Sequence, residues 1–340
     1  MQTLNPDQLI DFLLAVIPAR MPILIVGAPG IGKSACTDQA IERLGWHSVL
    51  SHPSVADPTD FKGIPFAADG RASFLPLGQM SDLLEATEPT VWVIDDLGQA
   101  TPAVQAGLMQ WILARECAGH KLPDCVSIVA CTNRRTDRAG VSGILEPVKS
   151  RFFSIVELVP DLDCTCRYAF DHGWPEEEIA YIRFRPDRLC AFEPSADLTN
   201  SPLPRTWAHL AELSKLGLTG AVELAAFSGA VGEGDAGEYL AFRKMAREAP
   251  SPDGIILDPD ASAIPENRSV LYAVVTALGI RATETNFPRI ARYAERLTDA
   301  KHGEFAALLL RDVARKIPTV CQSPSFVRLA SGELGDLISG

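Results

Sequence analysis

The sequence predicts an α/β fold: a parallel sheet covered by helices on both faces, then a region of helices alone. Three observations predict it. Short, mainly apolar runs recur at Pro22–Val26, Val91–Ile94, Val126–Cys131 and Phe153–Leu158. Segments with helical spacing lie between several of them. Beyond Pro160 the strand-like runs give way to helical ones. An uninterrupted apolar run bounded by Pro or Gly is what a strand buried on both faces looks like, and alternation with helices implies a parallel sheet.

In chain order, Leu4–Ile17 reads as an amphipathic helix with Leu9, Phe12, Leu13 and Val16 on one face. Pro22–Val26 is the first strand, and Ser34–Leu44 the helix after it. A weaker run, His47–Leu50, is the second strand; Val91–Ile94 is the third and Val126–Cys131 the fourth. Pro102–Arg115, with Val104, Leu108, Trp111 and Ile112 on one face, is the helix between those last two. Phe153–Leu158 is the fifth strand. Helices are then expected at Cys164–His172, Glu176–Phe184, Thr206–Lys215, Val222–Phe227 and Glu238–Glu248, the last two parted by Gly229, Gly232, Gly234 and Gly237. The Pro/Asp-rich stretch Ala249–Glu266 reads as a linker or loop, and Val270–Leu278, Phe287–Leu297 and Glu304–Lys316 as a last helical block. The divisions are 1–160, 161–248 and 249–340.

The chain has 340 residues, too many for one ordinary domain. Its net charge of −12 disfavours non-specific binding to phosphate backbones, although a local basic pore is compatible with it. No run approaches the ~18 apolar residues of a membrane helix. Met1–Ile17 carries Asp7 and Asp11 and no basic residue, so it does not read as a signal peptide. The eight cysteines are scattered apart from Cys164 and Cys166, and reduced cytosolic thiols fit them better than a metal site. A cytoplasmic protein is the expectation.

The chemistry begins at Gly27-Ala28-Pro29-Gly30-Ile31-Gly32-Lys33-Ser34, which fits G-x-x-x-x-G-K-[ST] between a strand and a helix. Glycines let backbone N–H groups converge on one point. Those amides and the helix N-terminus, with Ala35 just inside it, form an anion nest. Lys33 supplies charge for the β- and γ-phosphates, and Ser34 a hydroxyl for Mg²⁺. ATP with Mg²⁺ is the expected ligand.

The third strand ends in Asp95-Asp96, at the end of a parallel strand that opens onto a ligand crevice. Asp95 is a candidate to hold Mg²⁺ with Ser34, and Asp96 a candidate to orient or deprotonate the attacking water. Asn133, after the fourth strand, is placed to reach a γ-phosphate or that water; elsewhere such an Asn is a turn former. Arg151, before the fifth strand, is a candidate finger toward a neighbouring subunit's nucleotide, or a structural ion pair. Arg205 opens a helix in the second half and is either a nucleotide sensor or a surface residue. Arg134, Arg135 and Arg138 line an interface or pore, or are solvated.

The order of these motifs resembles the MoxR-type AAA+ ATPases. The resemblance is carried by Asp57–Gly63, Val93–Ala106, Lys121–Asp124, Cys131–Val141 and Ser150–Phe152. It extends less specifically to Ala282–Phe287 and Pro324–Phe326. It implies an AAA+ P-loop fold with a five-stranded αβα core, a helical lid carrying Arg205 and a helical C-terminal extension. It also implies a hexameric ring with ATP at subunit boundaries, Arg151 acting in trans, and chaperone-like remodelling with a von Willebrand factor A partner. The sequence departs from the family in Asp96 for Glu and Gly98 for Asn. One methylene less draws the carboxylate back by roughly 1.5 Å, and a displacement near 1 Å can cost ~10²-fold in rate.

β-Hairpin insertions are implied too. Ile64–Phe74 has apolar arms about Asp69-Gly70, a strong hairpin pattern, as a pore or substrate contact or as a packing element; a second is expected to turn at Gly119-His120. Two other readings stay open: a nucleotide-gated assembly module with weak hydrolysis, and a nucleic-acid-associated loader. A small-molecule kinase fits least.

Overall fold

A computed structural model of the chain describes residues 2–68, 70–137, 143–194, 198–332 and 334–339. The hairpin-tip Asp69, Arg138 and the end of the Cys131–Val141 motif lie outside them. Two compact units are present, Met1–Cys164 with Phe192–Leu198, and Thr165–Ala191 with Thr199–Gly340.

In the first unit, β1 (Thr3–Leu4), β2 (Ile23–Val26), β3 (His47–Ser51), β4 (Ile64–Ala68), β5 (Arg71–Leu75), β6 (Thr90–Ile94), β7 (Glu116–Cys117), β8 (His120–Lys121), β9 (Val126–Thr132) and β10 (Ser154–Leu158) follow in sequence. The central sheet is parallel throughout, in the order β1-β10-β2-β9-β6-β3. It contains the five expected strands, and the two-residue β1 extends one edge. Alternate residues divide between two apolar layers. Ile23, Ile25, Val91, Val93, Val129 and Cys131 face one cluster, which includes residues of α1 (Pro6–Val16) and α2 (Lys33–Leu44). Leu24, Trp92, Ile94, Ile128 and Ala130 face another. Burial on both faces is why these strands read as continuous apolar runs. β3 pairs with β6 at the other edge of the sheet and is largely exposed, which accounts for its faint pattern.

Local chemistry sets the helix limits. Asn5 caps α1 and exchanges hydrogen bonds with Gln8, a capping box worth about 1 kcal/mol. The short α3 (Pro58–Lys62) and α4 (Gln79–Leu84) flank the β4–β5 hairpin. α5 (Pro102–Ala114) starts with Pro at its first position and buries Val104, Leu108, Trp111 and Ile112 almost completely, about 1.5–3 kcal/mol for each large side chain. α6 (Glu146–Lys149) leads into β10.

β4 and β5 form the expected hairpin, with Ala68 opposite Arg71 at its end. In the second hairpin Cys117 pairs with His120. The turn is therefore Ala118-Gly119, at φ 52° and 88°, rather than Gly119-His120; two consecutive positive φ angles match the twist of a two-residue hairpin.

The second unit is helical: α7 (Leu162–Asp171, entering from the first unit), α8 (Glu176–Phe184), α9 (Pro204–Ser214), α10 (Gly220–Val231), α11 (Glu233–Arg247), α12 (Pro252–Leu257), α13 (Arg268–Arg281), α14 (Phe287–Asp299), α15 (Gly303–Lys316), α16 (Pro324–Ala330) and α17 (Gly335–Ser339). Tyr181 of α8 packs against Trp207 of α9 and Tyr239 of α11 at ring separations of 5.4 Å. A larger cluster from α13, α14 and α15 includes Leu271, Val275, Phe287, Ile290, Phe305 and Leu309. The two regions meet at a buried bidentate pair: Arg183 of α8 donates to Asp312 of α15 at 2.7 and 2.8 Å, and to Thr276 of α13 at 3.1 Å.

Two expectations change here. The Ala249–Glu266 stretch contains α12, whose Ile255 is buried in the larger cluster. Of the four glycines expected to break the chain, Gly232 alone separates α10 from α11, at φ 93°; Gly229, Gly234 and Gly237 lie inside the helices.

Glu178 of α8 is fully buried, and Ser214 of α9 donates to its carboxyl. Burial pushes its pKa from 4.5 to about 8. A folded-state pKa above the unfolded one favours the protonated folded form, so this group's contribution is complete below pH 4.5. It is lost as pH rises toward 8, on the order of 3–5 kcal/mol across that window. Glu178→Gln cannot ionise. It is expected to raise the melting temperature at pH 8 and to flatten the decline between pH 5 and 8, as thermal melts at the two pH values would register. An unchanged slope would show that Glu178 does not carry the dependence.

Candidate functional site

The phosphate loop joins β2 to α2. Gly27 donates its N–H to the Thr132 carbonyl at 3.2 Å, which ties the start of the loop to β9. A Cβ at Gly27 would lie 3.1 Å from the Leu158 carbonyl oxygen and 3.3 Å from the Ile31 side chain, so glycine is the residue that fits this approach. Gly30 at φ 68° and Gly32 at φ 107° take the left-handed turns that bring the chain over the start of α2, where first-turn N–H groups have no helical acceptor. Ala28 and Gly30 are buried, and Ile31 packs into the α1/α2 layer; Pro29 and Ala35 are half-buried.

Lys33 is buried, and its ammonium curls back onto the loop. Nζ donates to the Gly27 carbonyl at 3.0 Å, the Ala28 carbonyl at 2.9 Å and Asn133 Oδ1 at 2.8 Å. The strand order explains the last contact: β9 lies between β2 and β6, so Asn133 stands between the loop and the acid pair. From there Asn133 Nδ2 donates to Asp96 Oδ1 at 3.2 Å. Beside this chain, Ser34 Oγ donates to Asp95 Oδ2 at 3.1 Å, and the Asp95 N–H donates to the Ser51 carbonyl at 2.9 Å, fixing the end of β6.

The structure thus joins Lys33, Asn133 and Asp96 in one chain of hydrogen bonds, and Ser34 and Asp95 in another. Arg151 lies in the turn between α6 and β10, where its Nη1 donates to the Pro147 carbonyl. Arg205 is exposed on the first turn of α9, in the second unit. Arg134 is paired within its own unit, with Asp137 at 3.0 Å and Glu157 at 3.3 Å, while Arg135 is exposed.

Two participants escaped the sequence reading. Asp38 follows Ser34 by one helical turn, and its carboxyl pKa is raised first by burial and then by the charge of Asp95. Helical i, i+4 spacing from Ser34 is the pattern that could have found it. Gln99 Nε2 donates to Asp96 Oδ1 at 3.3 Å; no sequence pattern marks it.

These residues suit a magnesium–triphosphate ligand. Left-handed glycines open a backbone cradle at a helix N-terminus. A hydroxyl and a carboxylate meet at Ser34 and Asp95, and the like charge of Asp38 nearby is a repulsion that a hard cation relieves. The site and the sheet define a P-loop protein of the α/β class, with a helical C-terminal part.

No protein-family model matches the chain, and no curated protein matches it. Among solved structures it is similar to the Thermotoga maritima RuvB Holliday junction branch migration motor at 12% identity, covering 96% of this chain and 86% of that one with a TM-score of 0.36. It is similar also to NtrX from Brucella abortus in complex with ADP, at 13% identity, 97% and 68% coverage and a TM-score of 0.35. Likeness of that degree assigns no activity.

Proposed function

We propose that this protein is a MoxR-type AAA+ ATPase that couples Mg-ATP binding and hydrolysis, in a ring of its own copies, to remodelling of a protein complex. The observation that carries the reading is the continuous link from Lys33 through Asn133 to Asp96, beside the Ser34–Asp95 pair. Lys33, Asn133, Asp95 and Asp96 lie close together beyond the ends of the strands, which supports roles for them as phosphate-binding charge, polar sensor and directing carboxylates. Gly27–Ala35 would hold the phosphates, and Ser34 and Asp95 the magnesium, which when bound neutralises the charge on the transferring phosphoryl group. Asp96 would orient the attacking water, with Asn133 beside it. Arg151 would complete a neighbour's site, and Arg205 would act from a helical lid spanning 161–248, ahead of an extension over 249–340.

Ile64, Phe66, Phe74 and Leu75 are exposed on the β4–β5 hairpin, which supports contact with a protein substrate rather than internal packing. A von Willebrand factor A partner and a hexameric ring belong to the same reading and rest on the sequence resemblance, while a cytoplasmic location rests on the scattered cysteines. Among the described residues no helix is long and apolar enough to cross a membrane, and the net charge of −12 disfavours nucleic acid.

A second reading, a nucleotide-gated assembly switch, draws on Asp96 being one methylene shorter than Glu. Turnover separates the two. Asp96→Asn is expected to retain Mg-ATP binding and ATP-dependent assembly mass while losing ~10²–10⁴-fold in hydrolysis, the range for a positioned base. Hydrolysis unchanged by the substitution favours the switch.

A further inference from the structure

We infer that Gln99 is the positioning residue for Asp96, holding its carboxylate in register with Asn133; this rests on the reading of Asp96 as the water-orienting group. Three features of the turn after β6 carry the inference. First, Asp96 has φ 54° and ψ 33°, a left-handed conformation that a non-glycine residue keeps only where its surroundings impose it. Second, the 3₁₀ turn Leu97–Gln99 closes on that residue. The Gln99 N–H donates to the Asp96 carbonyl at 2.9 Å, and Gln99 Nε2 donates to Asp96 Oδ1 at 3.3 Å. One residue therefore grips Asp96 through both backbone and side chain. Third, the oxygen it grips is the one that accepts from Asn133 Nδ2 at 3.2 Å. The Asp96 N–H is tied in turn to Asp95 Oδ1 at 2.9 Å.

Two neutral amide donors converging on Oδ1 define the orientation of the whole carboxylate, because a planar group held at one oxygen by two donors from different elements has little rotational freedom. Asn133 approaches from the end of β9 and Gln99 from the 3₁₀ turn. Removing Gln99's donor takes away one of these two holds on Oδ1, and the carboxylate gains freedom to swing. A short acid has little reach to spare, since a misplacement near 1 Å costs ~10² in rate. Gln99 touches neither the phosphate loop nor Lys33 in the hydrogen bonds described, so its loss acts on turnover and leaves nucleotide affinity alone.

The test compares Gln99→Leu, which keeps the size and loses the donor, with Gln99→Lys, which restores a donor of similar reach. Steady-state ATP hydrolysis by Gln99→Leu should fall in kcat by about 10–10²-fold with KM unchanged, and Gln99→Lys should recover most of it. A readout independent of turnover comes from melting the nucleotide-free chain. Once Asp96→Ala has removed the shared acceptor, adding Gln99→Leu should lower Tm no further, because coupled residues are not additive. A Gln99→Leu enzyme with wild-type kcat, or Tm shifts that simply add, would overturn the inference. A wild-type chain that hydrolyses no ATP, or an Asp96→Asn chain that hydrolyses it normally, would instead remove the functional reading beneath it, and the melting cycle would still report whether Gln99 holds Asp96.

Discussion

Arg151→Ala is expected to lower ATP turnover by about 10³–10⁵-fold, the range spanned by arginine fingers, while leaving Mg-ATP affinity unchanged. Within its own chain the guanidinium rests on the Pro147 carbonyl, while Lys33, Asn133 and Asp96 are engaged with one another. On the proposed reading that arginine serves the next subunit, where its forked donors meet charge developing on the transferring phosphoryl group. A mixing experiment distinguishes this from a role within one chain. Subunits carrying Arg151→Ala and subunits carrying Lys33→Ala, each inactive alone, should regain turnover when combined, because some interfaces then pair an intact loop with an intact finger. No recovery on mixing, in an assembly shown to contain both variants, would place the arginine's action elsewhere.

The second large effect is on stability. Arg183 and Asp312 have side chains only 5% and 4% exposed. Burial opposes the charge on Arg183, and Asp312 alongside offsets that, holding the guanidinium more firmly protonated than usual. Asp312→Ala would leave that charge uncompensated and is expected to cost about 3–5 kcal/mol, whereas replacing both partners by apolar residues of similar volume should cost much less. Urea denaturation followed by helical circular dichroism would read this as a marked fall in midpoint for the single variant and a partial return for the double. A single variant as stable as the wild type would mean that the pair is not what joins α8 to α15. The packing there is tight enough to matter: a Cβ on Gly279 of α13 would sit 3.3 Å from that of Asp312.

Much of the first unit was legible in the sequence because its strands are buried on both faces and its loop demands glycine. Ile23–Val26 and Val126–Thr132 are buried throughout, so an apolar run carried the information by itself. The phosphate loop was legible for a different reason: its residue types are dictated by backbone geometry and charge at fixed spacing. Strand order was not, because the placement of β9 between β2 and β6 depends on contacts far apart in sequence, and with it went the reason Asn133 reaches both Lys33 and Asp96. Gln99 was invisible for the same cause at shorter range, since its role depends on the left-handed turn at Asp96. In the helical unit, glycine misled. Gly229, Gly234 and Gly237 are tolerated inside helices held by tertiary packing, and only Gly232 takes a conformation that stops one. α12 was hidden because prolines and aspartates crowd the stretch around it, while its one deeply buried side chain, Ile255, is too little to make a pattern.

The most direct test of the central claim, that this loop and its carboxylates grasp a magnesium–triphosphate, is calorimetric titration of Mg-ATP into the wild-type chain and into Lys33→Ala, with circular dichroism confirming that both are folded. Saturable binding by the wild type that needs Mg²⁺ and weakens roughly 10²-fold in the variant, as loss of a charge-assisted contact of about 2–3 kcal/mol requires, is the predicted result. Folded wild-type protein that takes up no nucleotide, or binds it equally well without Lys33, would contradict the account.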